Sequence, residues 1–501
     1  MLIILLVVTL SIGSVGYETH LNAVDNIITN HPADESIRIH NNAGLAALAS
    51  NGVGSELDPY FIANLQLAVT DEEVAIDISN TDAHFILKNC RIVVVRGLFA
   101  LILSNVSNGV VEECEVVGGS LSLDFSNCCE IIDNTIIGPS SETGIDILFC
   151  RDVMISGNTV SDAITGIFLL GSKDIWVSSN HIYDNKDVGV DIYLSENTTM
   201  IDNVLENNGV FLSLWSAGTM DYTYEGSQFI DVPYNFDNNT VNGKPLGFFH
   251  EVMNTDIPAV NFGQVILLNC TDVKVYGGYF TNTSVGFQTH YSRNCSLEDS
   301  TIANNTSWGM YIFNSNFTEV KGCEIQNNER SGIHLEHSNH ALIEENTVSD
   351  NLGSGIYLQY SNNCSISNNS LLRNSYGTSF YASKNNSVID NVISFNTLFG
   401  VRIGDGSEQN RIYGNDIGWN IVANAHDGSG NNFWDNGIDE GNRWSDYLGF
   451  GVYEIDYYGI DNYPSSFGNS ILNPLTLAII GISSTALVGV VIAVILQRKR
   501  G

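Results

Sequence analysis

The sequence predicts an all-β fold, a right-handed parallel β-helix of about a dozen coils of 22–24 residues, followed by one C-terminal transmembrane helix. Three observations predict it. An aliphatic-x-x-Asn-x-aliphatic pattern recurs at a fixed period, a column of glycines is locked to it, and the 22 residues from Leu475 to Leu496 carry no charge.

The Asn slot is filled by Asn134, Asn158, Asn180 and Asn203, and later by Asn346, Asn369, Asn391 and Asn415. Cys90 and Cys114 stand in it near the start, and Gly278, Ser300 and Cys323 open the second run. Spacings in that second run are 22, 23, 23, 23, 22 and 24. A fixed period overrides local propensity, because it means one supersecondary unit repeated. The glycine column is Gly144, Gly166 and Gly189, then Gly286, Gly309, Gly332, Gly355, Gly377 and Gly400. Each opens a short alternating strand such as Gly332-Ile-His-Leu-Glu336, which places Ile333 and Leu335 inward and His334 and Glu336 outward.

A unit of this size with period-two strands and no helical stripe cannot bury its apolar face alone, whereas stacked coils can. Each strand then pairs with its counterpart one coil on, in long parallel sheets around an aliphatic core. Asn is expected at the corners because it tolerates the left-handed backbone of a sharp turn and its amide can bond up the column. Nine cysteines fit no even disulfide framework and are expected as buried, stacking thiols.

The domain reading follows. Residues 1–16 read as a signal peptide and 17–50 as an N-terminal segment and cap. Residues 51–208 form the first β-helix block, 209–262 irregular coils or an insertion, and 263–420 the second block. An aromatic cap (421–465), a linker (466–474), the transmembrane helix (475–496) and a basic tail (497–501) complete the chain. Because Arg498, Lys499 and Arg500 follow the apolar stretch, the expected location is the cell membrane, single-pass, with the β-helix extracellular and the tail cytoplasmic. Twenty Lys plus Arg against 56 Asp plus Glu give a formal charge of −36, which excludes nucleic acid as a partner.

The quoted columns resemble those of the NosD-type periplasmic copper-binding β-helix proteins and the related carbohydrate-binding and sugar-hydrolase β-helix modules. The more specific stretches are Asp58-Pro59-Tyr60-Phe61-Ile62, Asn242-Gly243-Lys244-Pro245-Leu246, Gly263-Gln264-Val265-Ile266-Leu267 and Asn432-Phe433-Trp434-Asp435. Gly441-Asn442-Arg443-Trp444 and Asp461-Asn462-Tyr463-Pro464 close the series. The resemblance implies copper as one cofactor. Calcium would need an Asp/Gly-rich loop after Tyr447, where this chain instead runs Leu448-Gly449-Phe450-Gly451.

For a polysaccharide or glycan ligand the candidate residues are Tyr311, His334, Glu336, Tyr357, Gln359 and Tyr381 on the outward columns of the second block. Aromatic rings suit the apolar faces of sugars while His, Glu and Gln meet hydroxyls. The bland reading is that aromatic residues simply favour exposed strand positions. No catalytic residue is assigned. Asp146 and Asp191, two coils apart in one column, are the pair a glycan hydrolase would use, and a lyase would need a cation such as Arg402. For metal, His334, His337 and His340 form the densest group of possible ligands, at a spacing that matches no recognised site. The resulting expectation is a membrane-anchored extracellular protein that binds polysaccharide or serves as a structural or adhesive surface element. A glycan hydrolase or lyase and a NosD-like copper accessory protein are the alternatives.

Overall fold

The computed structural model describes residues 36–70, 74–96, 98–139, 142–214 and 233–467. The expected signal peptide (1–16), transmembrane helix (475–496) and basic tail (497–501) lie outside them. Among the described residues no helix is long and apolar enough to cross a membrane.

The chain is a right-handed parallel β-helix, but of about 17 turns where a dozen were expected, and built as two solenoids. The first holds an eight-stranded sheet from Ile37–Ile39 to Val210–Ser213, a second eight-stranded sheet from Tyr60–Ala63 to Asn235–Asp237, and a third that ends at Thr240–Val241. The second solenoid begins with Lys244–His250 and carries an eight-stranded sheet starting at Met253–Pro258 and a nine-stranded one starting at Tyr279–Thr281. The undercounted coils lie at the ends and at the junction, where irregular spacing hides the slot: Asn239 follows Asn203 by 36 residues and Asn442 follows Asn415 by 27.

Between the solenoids the chain reverses through a hairpin. Thr240 pairs with Pro245 and Val241 with Lys244, antiparallel. Asn242 and Gly243 both adopt left-handed backbone (φ 51° and 73°), the pair of conformations a two-residue turn of this hand requires and that Asn-Gly supplies most readily. The described part of 209–262 is therefore the last coil of one solenoid, the hairpin, and the first coil of the next.

The Asn column stacks as expected, with one correction. The left-handed residue at each corner is the one before the slot, for example Asp133 (φ 53°), Ser179 (φ 55°) and Asn368 (φ 56°). The slot residue itself turns inward, and its amide binds the coil above: Asn134 donates to Asn158, Asn158 to Asn180 and Asn180 to Asn203, each at 3.0 Å. Asn346, Asn369, Asn391 and Asn415 repeat the ladder in the second solenoid and pass it to Asn442. These amides are buried, so each must find such partners. A serine ladder through Ser292, Ser315, Ser338, Ser361, Ser383 and Ser407, in which each backbone N–H meets the next hydroxyl, was not evident from the repeat.

Glycine is required where coils approach most closely. A Cβ on Gly309 would stand 2.5 Å from the Gly332 carbonyl oxygen. All nine cysteines are free thiols, eight of them buried and Cys128 exposed. Helix Asn42–Leu48 follows the first strand and buries Leu45. At the other end Trp434 and Trp444 are fully buried, their indole N–H groups donating to Asp427 (3.1 Å) and Asp461 (2.8 Å). The Asp and Trp residues of the two C-terminal stretches thus close the last coil.

Candidate functional site

The two solenoids fold back so that the first sheet of each faces the other. Near the hairpin they are sealed together. Strand Val210–Ser213 ends its sheet, and its free backbone groups are taken by glutamine side chains of the second solenoid. Gln264 receives the Val210 N–H (2.9 Å) and donates to the Val210 carbonyl (2.6 Å), while Gln288 donates to that carbonyl (2.6 Å) and receives the Leu212 N–H (3.1 Å). Edge strands left unpaired invite aggregation, and this one is capped from the neighbouring sheet. Val188, Phe211, Val285, Tyr311 and Phe313 form a small apolar cluster of their own between the walls.

One coil further out the contacts turn polar. Arg330 of the second solenoid pairs with Asp187 of the first (2.5 Å) and lies 4.5 Å over the Trp308 ring. Asp191 is close enough to Arg330 and Asp187 to feel both charges, and Tyr193 faces Glu336 in the same way. Glu336 accepts from the Tyr311 hydroxyl (2.7 Å) and the Gln359 amide (3.2 Å). His334 sits among Trp308, Tyr311 and Tyr357, 4.8 Å from the last ring.

Beyond this level the faces separate. Along the column of Phe313 and Glu336, both 4% exposed, exposure rises through half-buried Gln359 to 39% at Tyr381, while the neighbouring column runs from Tyr311 (3%) and His334 (7%) to half-buried Tyr357 and then Ser379 (3%). On the opposite wall Asp146, Phe168 and Asp191 stand in direct register on neighbouring strands. The result is a V-shaped cleft whose vertex is dry and whose mouth is wet.

The sequence candidates thus point out of their own coils as alternation demands, yet outward is not exposed. Tyr311, His334 and Glu336 are buried because a second solenoid covers them. Asp191 and the second-block group, far apart in sequence, are brought together. Asp146 stays on the opposite wall, two strands from Asp191. Arg330, Asp187, Trp308 and Phe211 were not singled out from the sequence. Arg330 and Asp187 each stand two positions before a column glycine, a shared slot that means something only once the chain is known to fold back.

Electrostatics follow from burial. Asp191 is pushed up to about 7 by burial and by the Asp187 charge, against Arg330, and its Oδ1 is buried without a hydrogen-bond partner. Asp146 is pushed up to about 6, again by burial. Burial raises Glu336, opposed by the Tyr311 hydrogen bond. His334 is lowered to about 4 by burial and by the Arg330 charge, against the Gln359 amide beside it, and its ring nitrogens are buried. At neutral pH the vertex therefore holds a neutral imidazole and a carboxyl that is close to half protonated. Buried polar atoms without a partner in the chain call for a water or another group to complete them.

The three-histidine group does not fit a metal. His337 and His340 occupy turn positions (φ 51° and 60°), where His337 stacks on Tyr360 and His340 on Phe317, each at 4.8 Å. His334 is enclosed in the interface. Among the described residues no three His, Cys, Asp or Glu side chains converge on a common point. Around Tyr447 carboxylates are also committed: Asp446 accepts from Asn424 and Tyr453, Asp435 from Asn462, and Asp461 from Trp444 and the backbone of Asn442. Among the described residues these groups form no ready-made copper or calcium site. Titration with Cu²⁺ is expected to give the same isotherm for wild type and for the His337→Ala/His340→Ala variant; loss of a stoichiometric site in the variant would contradict this.

Residues 250–449 match the family model described as periplasmic copper-binding protein (NosD), and residues 100–262 match that of the right handed beta helix region. The two matches overlap over residues 250–262, in the first coil of the second solenoid, so the second runs across the hairpin. No curated protein matches the chain. Among solved structures it is similar to the mannuronan C-5 epimerase AlgE4 A-module of Azotobacter vinelandii, at 11% identity over 72% of this chain and 92% of that one, TM-score 0.30. It is also similar to the periplasmic alginate epimerase AlgG (13% identity, 86% and 84% covered, TM-score 0.29) and to an alginate lyase from Paenibacillus sp. (10%, 58% and 95%, TM-score 0.30). Likeness at this level assigns no role to any residue here.

Proposed function

We propose that this chain, with its NosD-like second solenoid, binds a glycan in the cleft between its two solenoids and presents that cleft outside the cell. The observation that carries the reading is the half-buried Tyr357 and Gln359 and the exposed Tyr381 at the mouth, beside buried His334, whose ring lies 4.8 Å from that of Tyr357. Sugar hydroxyls donate and accept at once, so one guest at the mouth meets Gln359 and the carboxyls of the opposite wall together. The rings take its apolar faces. With Asp146, Asp187, Asp191 and Glu336 lining the cleft against Arg330, a neutral or amino-sugar chain fits and a polyuronate is repelled. The uncharged stretch 475–496 and the basic residues after it would hold the cleft at the cell surface.

The test is retention of the full chain on a panel of insoluble neutral and amino-sugar polysaccharides. Wild type is expected to be retained and a His334→Gln/Tyr357→Ala variant to bind roughly tenfold more weakly with its melting temperature little changed. Equal retention of a folded variant would remove the cleft from consideration.

A second reading, hydrolysis of the bound glycan, is favoured by one observation. Asp146 and Asp191 share a column on either side of Phe168, and burial keeps both carboxyls partly protonated near neutral pH. Two strand spacings separate them by roughly 9–10 Å, at the upper edge of the inverting range. Release of shortened products, abolished by Asp191→Asn, would establish it, and retention without release leaves a binding protein.

A further inference from the structure

We infer that one lip of the cleft carries a second, aromatic subsite, in which Phe125 and Phe149 stack on sugar rings of a chain whose other end lies at the vertex. The inference rests on the glycan reading above and extends it.

Phe125 directly follows strand Ser120–Asp124, and Phe149 follows Ile145–Leu148, at the same corner of successive coils. Their rings stack face to face, 5.3 Å between centroids and 12° from parallel. Both are exposed, 58% and 50%. Both hold the left-handed backbone (φ 48° and 54°) that this corner has in each coil, as at Asn80, Asn105 and Leu194 (φ 52°, 52° and 51°). What sets these two corners apart from Asn80 and Asn105 before them is a pair of large rings left open to solvent.

The next coil shows how the platform is kept flat. The residue at this corner is Gly171 (φ 56°), and a Cβ there would come within 2.8 Å of the Phe149 ring. The ring lies along the column over a glycine, so Phe125, Phe149 and the bare Gly171 backbone form a shelf parallel to the solenoid axis.

The shelf is continuous with the cleft. Leu194 holds the same corner one coil on, and Leu214 the next, since Tyr193 pairs with Ser213. The Leu214 carbonyl accepts from the Tyr291 hydroxyl at 2.6 Å. Tyr291 occupies the equivalent corner of the second solenoid, directly after strand Phe287–His290, so the corner columns of both solenoids meet at the vertex on one side. Further out on the second column His337 and Tyr360 stack at 4.8 Å and 7°. Both lips of the V therefore bear flat rings on the same edge, and Phe149 lies three strand steps, roughly 14 Å, from the vertex. A short saccharide at the vertex cannot reach it and a long one must pass it. The ligand class is a neutral or amino-sugar chain whose pyranose faces are apolar, because the shelf offers no polar atom and the walls leading to it are acidic.

Chain-length dependence tests this. Binding of chitohexaose, cellohexaose and the corresponding disaccharides to the full chain would be measured by calorimetry for wild type and for Phe125→Asn/Phe149→Asn, asparagine being tolerant of left-handed backbone. The hexasaccharide that wild type binds is expected to bind the variant roughly tenfold more weakly while its disaccharide is unaffected, with the melting temperature of the variant equal to or above that of wild type. Unchanged hexasaccharide affinity in the folded variant overturns the subsite while leaving the vertex intact. A wild type that binds neither length overturns the glycan reading and the subsite with it. A wild-type dimer that the variant converts to monomer would make the shelf a contact between two copies and overturn it as well.

Discussion

Replacing Asn369 by alanine is expected to destabilise the second solenoid by about 3–5 kcal/mol, measured by urea unfolding. The side chain is 2% exposed. It donates to the carbonyls of Ile343 (2.8 Å) and Ser367 (3.0 Å) and to Asn391 Oδ1 (3.0 Å), and its own Oδ1 receives the Asn346 backbone N–H and side-chain amide, both at 3.0 Å. Alanine leaves partners on three coils unsatisfied where water cannot reach them, and the methyl that replaces the amide repays little. Serine should cost roughly half as much, since a hydroxyl can still receive the backbone N–H, as Ser300 does for Gly278 at 3.0 Å. Because each coil leans only on its neighbours, the alanine variant is also expected to split unfolding into two transitions, one per solenoid. A single transition displaced by less than about 1 kcal/mol would show that the ladder is not a principal source of stability.

The second large effect concerns pH. Asp191 has its proton held up to about 7 in the folded chain by burial and by Asp187, against an ordinary value of 3.8. Between those two values the unfolded chain has lost a proton that the folded chain still holds. Stability from this group is therefore fully present below about pH 4 and is lost progressively as pH rises through about 7. About three units correspond to an upper figure near 4 kcal/mol, and partial exposure of the side chain brings the expected loss to roughly 2–4 kcal/mol. Asp146 and Glu336, both raised, act in the same direction. His334 and His290, lowered to about 4 and about 3, act oppositely: they are neutral when buried, so they stabilise as pH rises toward 6.5. The informative quantity is thus the difference between Asp191→Asn and wild type, in which the histidines cancel. That difference should shift toward the variant by roughly 2–4 kcal/mol from pH 4 to pH 8, whereas parallel profiles would mean that Asp191 titrates as an ordinary carboxyl.

Much of the fold was legible because repetition prints itself on the sequence. A buried amide that must bond to its copy one coil away tolerates few replacements, so Asn134 to Asn203 and Asn346 to Asn415 stand out in a chain otherwise rich in asparagine. The terminal coils escaped for the converse reason. Strands Tyr60–Ala63 and Gln66–Val69 begin a stack, and the coil holding Trp434 and Trp444 ends one, so their columns serve as lids and lose the repeat. The site was legible in direction only. Alternation places His334 outside its own coil, but the presence of another wall opposite is decided by one two-residue turn at Asn242-Gly243. Arg330 and Asp187 are separated by 143 residues and share only a slot before a column glycine, so their pairing belongs to the topology and not to either strand.

That turn also governs how such a molecule can change over generations. A coil gained or lost at the far end of either solenoid, beyond Asp146 or beyond Tyr381, lengthens or shortens an arm and leaves every pairing across the vertex untouched. A coil gained between the hairpin and Arg330 would slide one wall past the other by a full strand step and part Arg330 from Asp187, Glu336 from Tyr193 and Gln288 from Val210 together. Length is thus a trait this architecture can vary freely, while the first few coils on each side of residue 242 must be inherited as a block.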